Sequence, residues 1–167
     1  MQITSVNQYH LEHQLDGSFN PTWIPGYPQG LHELELFEFE TDEGITGYTA
    51  SPSFAGGFDY EDALNIILVG EDPYNVEKIL RKIDTINLLG PRAHHLEVAL
   101  WDIMGKDTGQ PVYRLLGGDS REIPVYASTG ELQDAEERLE YVAERKKEGF
   151  EAVKLRFKHG PEAGRRG

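Results

Sequence analysis

The sequence predicts an α+β fold: an antiparallel sheet, then a helical bundle, then a βαβ unit. Three observations predict it. Acidic and apolar residues alternate between Glu33 and Glu40 and end on a turn at Asp42, Glu43 and Gly44. The period becomes helical between Asp62 and Gly105, and a strand-like, helical, strand-like succession fills 123–157. With 167 residues, 38% hydrophobic and 27% charged, the chain can bury a core and has the composition of a globular protein, not of a disordered or membrane one.

Strand-like stretches open the chain around Ile3 to Leu15. At 18–30 follows SFNPTWIPGYPQG, whose three prolines and two glycines exclude a helix or a regular central strand and predict a long loop. LHELELFEFE then alternates, with a phase shift at Leu36 and Phe37 that predicts a bulge in a half-buried strand. After the turn, ITGYTA supplies the second strand of a hairpin. SPSFAGGFDY at 51–60 reads as a second loop, with Gly56 and Gly57 at its centre.

Asp62 to Leu68 predicts a short helix, Asn75 caps a second through Ile86, and Pro91 suits the first position of a third that runs to about Gly105. In that third helix Leu96, Ala99, Leu100 and Ile103 recur at spacings of three and four, which predicts packing on the hairpin sheet. Gly117 and Gly118 end a short helix. IPVYAST then reads as a strand, ELQDAEERLEYVAERKKEG as an amphipathic helix stopping at Gly149, and AVKLRF as a second strand parallel to the first. The polar segment HGPEAGRRG carries no evident pattern.

The net charge of −13 is uneven. Residues 1–77 hold 14 acids and no Lys or Arg, whereas the remainder holds 15 acids and 16 bases. Such a first half disfavours phosphate, so no nucleic-acid partner is expected. The absence of cysteine excludes disulfides and Cys-ligated metals. No apolar run has the roughly 20 residues of a membrane span, and the start MQITSVNQYH lacks the pattern of a signal peptide, so no membrane partner and a cytoplasmic location are expected. No GxGxxG, P-loop or GxSxG spacing occurs.

LEVALWDIMGK at 96–106, GQPVYRLLGG at 109–118, IPVYAS at 123–128 and GFEAVKLRFK at 149–158 follow one another at a spacing that resembles the mandelate racemase and muconate lactonizing enzyme branch of the enolase superfamily. GEDPYNVEKI at 70–79 resembles the helical part of the same capping domain. The resemblance implies an α+β capping domain at 1–117 and, at 118–167, the first βαβ unit of an incomplete (β/α)8 barrel. It implies a Mg²⁺ enzyme that removes the proton α to a carboxylate, the metal stabilising the enediolate. In such enzymes the metal ligands are carboxylates at the ends of the third to fifth barrel strands. The LLGG turn is followed by 49 residues, against the roughly 200 to 250 of a whole barrel. The chain is therefore expected to be a truncated member, inactive by itself and without Mg²⁺ of its own.

On the last strand Val153, Leu155 and Phe157 alternate with Lys154, Arg156 and Lys158, which predicts an apolar side facing helices and a basic side facing away. The family places a Lys-x-Lys pair here. Lys154 matches its first member and Arg156 stands where the second, the base, would be. A guanidinium with a pKa above about 12 is a poor base at neutral pH and a good clamp for a carboxylate or an enediolate. That substitution favours an acid-sugar dehydratase, with a racemase or cycloisomerase as the alternative. Lys154 and Arg156 are thus the catalytic candidates for the intact enzyme.

Phe19, Trp23, Tyr27 and Phe54 lie in the two loops that close over the substrate in similar enzymes, and are the substrate-binding candidates. The expected substrate is a small carboxylate or sugar acid. A homo-oligomer, or a complementing barrel chain, is the expected assembly, and a non-catalytic folding or interaction fragment is the reading from outside enzymology. His94 and His95 are adjacent, about 100° apart on a helix, and predict packing or capping rather than a ligand pair. His10, His13, His32 and His159 show no partner motif. Trp101 and Asp102 are expected to serve packing and a structural polar contact.

Overall fold

A computed structural model describes residues 1–21, 24, 26–52, 59–86, 93–119, 122–131 and 134–156. Strands β1 (Ile3–Phe19), β2 (Gln29–Thr41) and β3 (Thr46–Pro52) form one sheet in the order β1-β2-β3. The first two are longer than the sequence suggests, and the loop between them is confined to 20–28. Pro21, Pro25 and Pro28 all fall inside that interval, so every residue the ladder uses keeps its N–H.

The bulge expected at Leu36 and Phe37 does not occur in the ladder between β2 and β3. β2 and β3 pair antiparallel without a break from Leu34 opposite Pro52 to Glu40 opposite Thr46. The phase shift instead marks a change in what one strand face meets. Phe37 and Phe39 are fully buried in the core, while Glu35, two residues earlier on the same face, is also buried but meets polar side chains.

Helix α1 (Glu61–Leu68) and helix α2 (Val76–Ile86) follow, then a 3₁₀ turn at His94–Leu96, α3 (Glu97–Thr108) and α4 (Val112–Leu115). The predicted third helix is displaced: Pro91 lies outside the described residues, the regular helix starts at Glu97, and it runs past Gly105. Gly109 is the stop, at φ +62° in the left-handed region. Gly105 has another use, since a Cβ there would lie 3.0 Å from the carbonyl oxygen of Gln110.

As predicted, Leu96, Ala99, Leu100 and Ile103 are fully buried, and α3 packs on β3. A methyl group on Gly47 of β3 would collide with the Ala99 carbonyl oxygen and lie 2.6 Å from Ile103 Cγ1, so helix and sheet meet at a glycine.

Both outer edges of the sheet are capped. On β1, Ile3 exchanges backbone hydrogen bonds with Gly70 and Glu71. Asn65 of α1 then acts as a strand mimic, accepting from Val6 N–H at 2.9 Å and donating to Val6 O at 2.6 Å. On β3, Asp102 Oδ2 accepts the Tyr48 N–H at 2.9 Å and Lys106 Nζ donates to Thr46 O at 2.6 Å, the two side chains being joined at 2.6 Å. These contacts satisfy the edge groups of β1 at Ile3 and Val6 and of β3 at Thr46 and Tyr48, which can no longer template another strand.

The later segment pairs β4 (Ala127–Glu131) in parallel with β5 (Val153–Arg156), joined through α5 (Ala135–Lys147). Asp134 caps α5 by accepting from the Glu136 and Glu137 N–H groups, and Gly149, at φ +97°, follows its end. The strand predicted from Ile123 begins only at Ala127. Its one partner begins at Val153, opposite Ala127, so Ile123, Val125 and Tyr126 find no ladder and are exposed.

The chain divides into two compact units: Met1–Glu12 with Glu33–Asp119, and His13–His32 with Ser120–Gly167. The core of Phe37, Phe39, Leu64, Leu68, Ile79, Ile83, Leu96, Leu100 and Ile103 lies in the first.

Replacing Gly47 with valine should destabilise the protein by about 2–4 kcal/mol in urea unfolding, because the helix cannot retreat from the sheet without opening the core. Gly17→Ala, at a position where an added Cβ meets nothing, should stay within about 0.5 kcal/mol of the parent.

Candidate functional site

Lys154 and Arg156 occupy alternate positions on β5, as the sequence predicts, and therefore share one side of it. Val153 and Leu155 point the other way, lining a cavity with Val142, Lys146 and Phe150 on the α5 side. Lys154 is exposed, and its Nζ stands 5.6 Å from the centre of the Tyr126 ring. Arg156 is half-buried.

The backbone beneath this pair is held by a buried hydroxyl. Thr129 Oγ1 donates to Lys154 O at 3.2 Å and accepts the Arg156 N–H at 3.1 Å. It does so where the β4–β5 ladder changes register between Ser128 and Glu131. The hydroxyl bonds both backbone groups at the point of the shift, so Thr129 anchors the strand that carries the two basic residues.

Of the loop candidates, Phe19 and Tyr27 are described. Both belong to the tip of the β1–β2 hairpin, 37% and 60% exposed, in the same compact unit as Lys154 and Arg156. The tip is tied by Gln14 Nε2 donating to Gly30 O at 2.7 Å and by hydrogen bonds from the Ile24 N–H to Pro21 O and from the Tyr27 N–H to Ile24 O, each 3.2 Å. Trp23 and Phe54 lie outside the described residues.

His95 behaves as expected of a packing residue, whereas His94 is exposed, its ring 6.2 Å from that of His95. The His95 ring lies 5.3 Å from that of Phe37, its carbonyl accepts from Thr49 Oγ1 at 2.8 Å, and burial pushes its imidazole pKa down. Trp101 donates to Glu97 at 2.9 Å, and Asp102 caps the sheet edge.

No partner for His10 is visible in the order of the chain; in the fold it has three. Nδ1 is 2.8 Å from Glu35 Oε1, and Nε2 is 3.4 Å from Glu12 Oε1 and 3.7 Å from Glu33 Oε1. The signal was present as two i, i+2 pairs, His10 with Glu12 and Glu33 with Glu35, on segments that become neighbouring strands. It becomes legible only once the strands are paired. The Glu35 hydrogen bond, followed by the other carboxylates, raises the His10 pKa.

His10, Glu12 and Glu33 are the one group of three such side chains within 4.8 Å of each other among the described residues. Both ring nitrogens face carboxylates, as an imidazolium does, and Mg²⁺ takes oxygen ligands in near-octahedral order. The described residues thus do not fit a Mg²⁺ site. No described helix is long and apolar enough to cross a membrane.

Residues 30–117 match the mandelate racemase/muconate lactonizing enzyme, N-terminal domain, family. The chain is 32% identical to cis-3-hydroxy-L-proline dehydratase of Roseibium aggregatum, over 98% of the chain and 46% of that enzyme. It is 33% identical to D-galactarolactone cycloisomerase of Agrobacterium fabrum, over 97% of the chain and 46% of that enzyme. Its fold is similar to that of the dipeptide epimerase from Enterococcus faecalis, solved with Mg and the dipeptide L-Leu-L-Tyr, at a TM-score of 0.78 and 26% identity, over 98% of the chain and 48% of the epimerase. The chain thus spans about half the length of the curated relatives it matches.

Thr129→Val, which keeps shape and removes the hydroxyl, should cost about 1–2 kcal/mol and speed hydrogen exchange at the Arg156 amide. Thr129→Ser should recover most of that protection.

Proposed function

The chain belongs to the mandelate racemase and muconate lactonizing enzyme family of the enolase superfamily, and from that premise we propose that it is the N-terminal portion of an acid-sugar dehydratase acting on the proton α to a carboxylate. On this reading residues 1–117 form the capping domain and 118–167 the start of the barrel. The observation that carries it is the pair on β5, with a lysine at 154 and an arginine at 156 on one side of the strand.

A dehydratase needs the α-carbon deprotonated once and a hydroxide expelled, whereas a racemase needs proton donors on both faces of the carbon. A guanidinium is a poor proton-transfer group at neutral pH, so an arginine at this position is unsuited to that second face. Its guanidinium can instead hold the substrate carboxylate in bidentate fashion and stabilise the charge that grows on it. Lys154 supplies a compact second cation beside it. Phe19, Trp23, Tyr27 and Phe54 would then shape the substrate pocket. In the family, bound Mg²⁺ supplies the remaining stabilisation of the enediolate. The residues described here do not fit that ion, and its ligands would come from outside them.

The likeness to a hydroxyproline dehydratase along nearly the whole chain supports the reading. The cycloisomerase at 33% identity supports the alternative, a racemase or cycloisomerase in which Arg156 keeps the same clamping part.

The test is an assay of the natural gene product on a panel of sugar acids and hydroxy amino acids, following water loss and α-proton exchange in D₂O. Dehydration without racemisation is expected. Arg156→Ala should lower kcat about 100-fold or more, with Lys154→Ala comparable. Racemisation of recovered substrate at the rate of turnover would replace the dehydratase by the alternative. The 167-residue chain itself should show no turnover, and no stoichiometric Mg²⁺ binding tighter than about millimolar by calorimetry.

A further inference from the structure

The structure assigns to the base of the β1–β2 hairpin a site for one Zn²⁺, bound by His10 Nε2, Glu12 and Glu33 with a fourth position left to water, while Glu35 holds the imidazole from its other nitrogen. His10 and Glu12 stand two apart on β1, and Glu33 and Glu35 two apart on β2, so each pair points to one side of its strand. That side of β2 is the one that buries Phe37 and Phe39 further along. The Gln8 N–H still meets α1, at Glu61 Oε2 and 2.8 Å, whereas residues 9–14 are exposed. The four side chains therefore gather where the sheet passes from helix cover to water.

The distances separate a metal site from a direct ion pair. A charge-assisted hydrogen bond from an imidazole nitrogen to a carboxylate brings the two atoms to about 2.7–2.9 Å, and Glu35 Oε1 stands 2.8 Å from Nδ1. On Nε2 the spacing is different: Glu12 Oε1 is at 3.4 Å and Glu33 Oε1 at 3.7 Å, too far for that bond. Around Zn²⁺, with bonds of about 2.0–2.2 Å at tetrahedral angles, neighbouring ligand atoms stand about 3.4 Å apart. The three ligand atoms lie within 4.8 Å of one another, and the glutamates, 57% and 38% exposed, can rotate to close the remaining gap.

Glu35 is an independent sign. A zinc-ligating imidazole almost always donates its other N–H to a partner such as a carboxylate, which fixes the tautomer and aims the lone pair at the metal. Glu35 is nine-tenths buried, is held by Gln8 Nε2 at 3.0 Å, and presents its other oxygen to Nδ1. A proton on Nδ1 leaves the Nε2 lone pair facing Glu12 and Glu33.

The donor set also selects the ion. One imidazole and two carboxylates with an open position suit Zn²⁺, whereas Mg²⁺ and Ca²⁺ want six or more oxygen ligands. In residues 1–77, which hold 14 acids and no Lys or Arg, a dication is also the counter-charge this cluster otherwise draws from His10. The bound ion ties β1 to β2 at Glu12 and Glu33, the residues where the first compact unit gives up both strands of the hairpin. The chain between them, which carries Phe19 and Tyr27, then leaves from a clipped base.

Calorimetry on the 167-residue chain at neutral pH tests the site with Zn²⁺ alone and needs no turnover. One equivalent should bind, about 100-fold or more tighter than Mg²⁺ or Ca²⁺. His10→Gln should abolish that binding, and Glu12→Gln and Glu33→Gln should each weaken it about tenfold or more. Glu35→Gln should cost about tenfold at unchanged stoichiometry. His13→Gln and His32→Gln, at positions that alternate to the other side of the same strands, should leave the affinity unchanged. The three ligand side chains are exposed or half-buried, so their variants should fold. On the parent chain, nitrogen NMR needs no variant: Zn²⁺ should move the His10 Nε2 resonance while Nδ1 keeps its bonded proton. Zinc binding no tighter than that of magnesium, or tight binding that survives His10→Gln, would overturn the site.

Discussion

A three-stranded sheet has two bare edges and one face to hide, and the helical part of this protein meets both demands with the same elements. α3 covers the face with Ala99, Leu100 and Ile103 and, one turn apart, sends Asp102 and Lys106 to the edge of β3. α1 covers the face with Leu64 and Leu68 and sends Asn65 and Glu61 to the edge of β1. Edge groups satisfied by side chains from the covering helices cannot recruit another strand, and the helices cannot slide without losing them. The stretch ALWDIMGK is explained residue by residue on this basis: Ala99 and Leu100 for the core, Trp101 for a bond to Glu97, Asp102 and Lys106 for the edge, and Gly105 for the close return of the chain. Its specificity as a family signature has a mechanical origin.

The acidity of the first half is accommodated largely without Lys or Arg. Glu38 on the outer sheet face accepts from Tyr48 at 2.9 Å, Tyr9 at 3.0 Å and Asn7 at 3.2 Å, and these three bonds draw its pKa down. Glu35 takes the Gln8 amide as a neutral donor in the same way, with the His10 ring beside it at 2.8 Å. Neutral donors hold a carboxylate in place without cancelling its charge, so the field of this half stays negative. Among the described residues the exceptions are Glu77, 3.6 Å from Arg81, and Glu71, which Lys78 and Lys82 clamp at 2.6 Å each from the first basic segment of the chain. That clamp sits beside the Gly70–Glu71 backbone which pairs with Ile3, where a fixed geometry is most needed.

The parts of the fold legible in the sequence were those written in one period: the hairpin, α1, α2, the buried stripe of α3 and the order strand, helix, strand after Gly118. What misled was periodicity without its context. The alternation at Leu36 and Phe37 lost phase because Glu35 takes a core-side position that has polar partners, which a pattern of apolar residues cannot express. Gly105 looked like a stop because glycine marks both helix ends and close contacts, and the choice depends on where Gln110 returns. IPVYAST has strand composition, yet its first residues form no ladder, since pairing needs a partner of the same length. Of the candidate site, the side shared by Lys154 and Arg156 was legible from alternation. The hydroxyl of Thr129 and the four-residue cluster around His10 were not, because both depend on which strands become neighbours.

These cases separate two kinds of chemical information. A residue acting through its own strand, such as Arg156, is visible in the order of the chain, because alternation fixes its side wherever the strand is placed. A residue acting across strands, such as Thr129 or Glu35, acquires its meaning from register. Thr129 spans a register shift and Glu35 sits between Gln8 and His10, so moving either strand by one residue would turn these groups to the wrong side. Within the three-stranded sheet, Glu35 is therefore bound to the capped edges described above, since those edges help to hold its register. Helix cover, sheet edge and the Glu35 cluster form one dependency there, in which loss of Asn65 or Asp102 would be felt at positions neither residue touches.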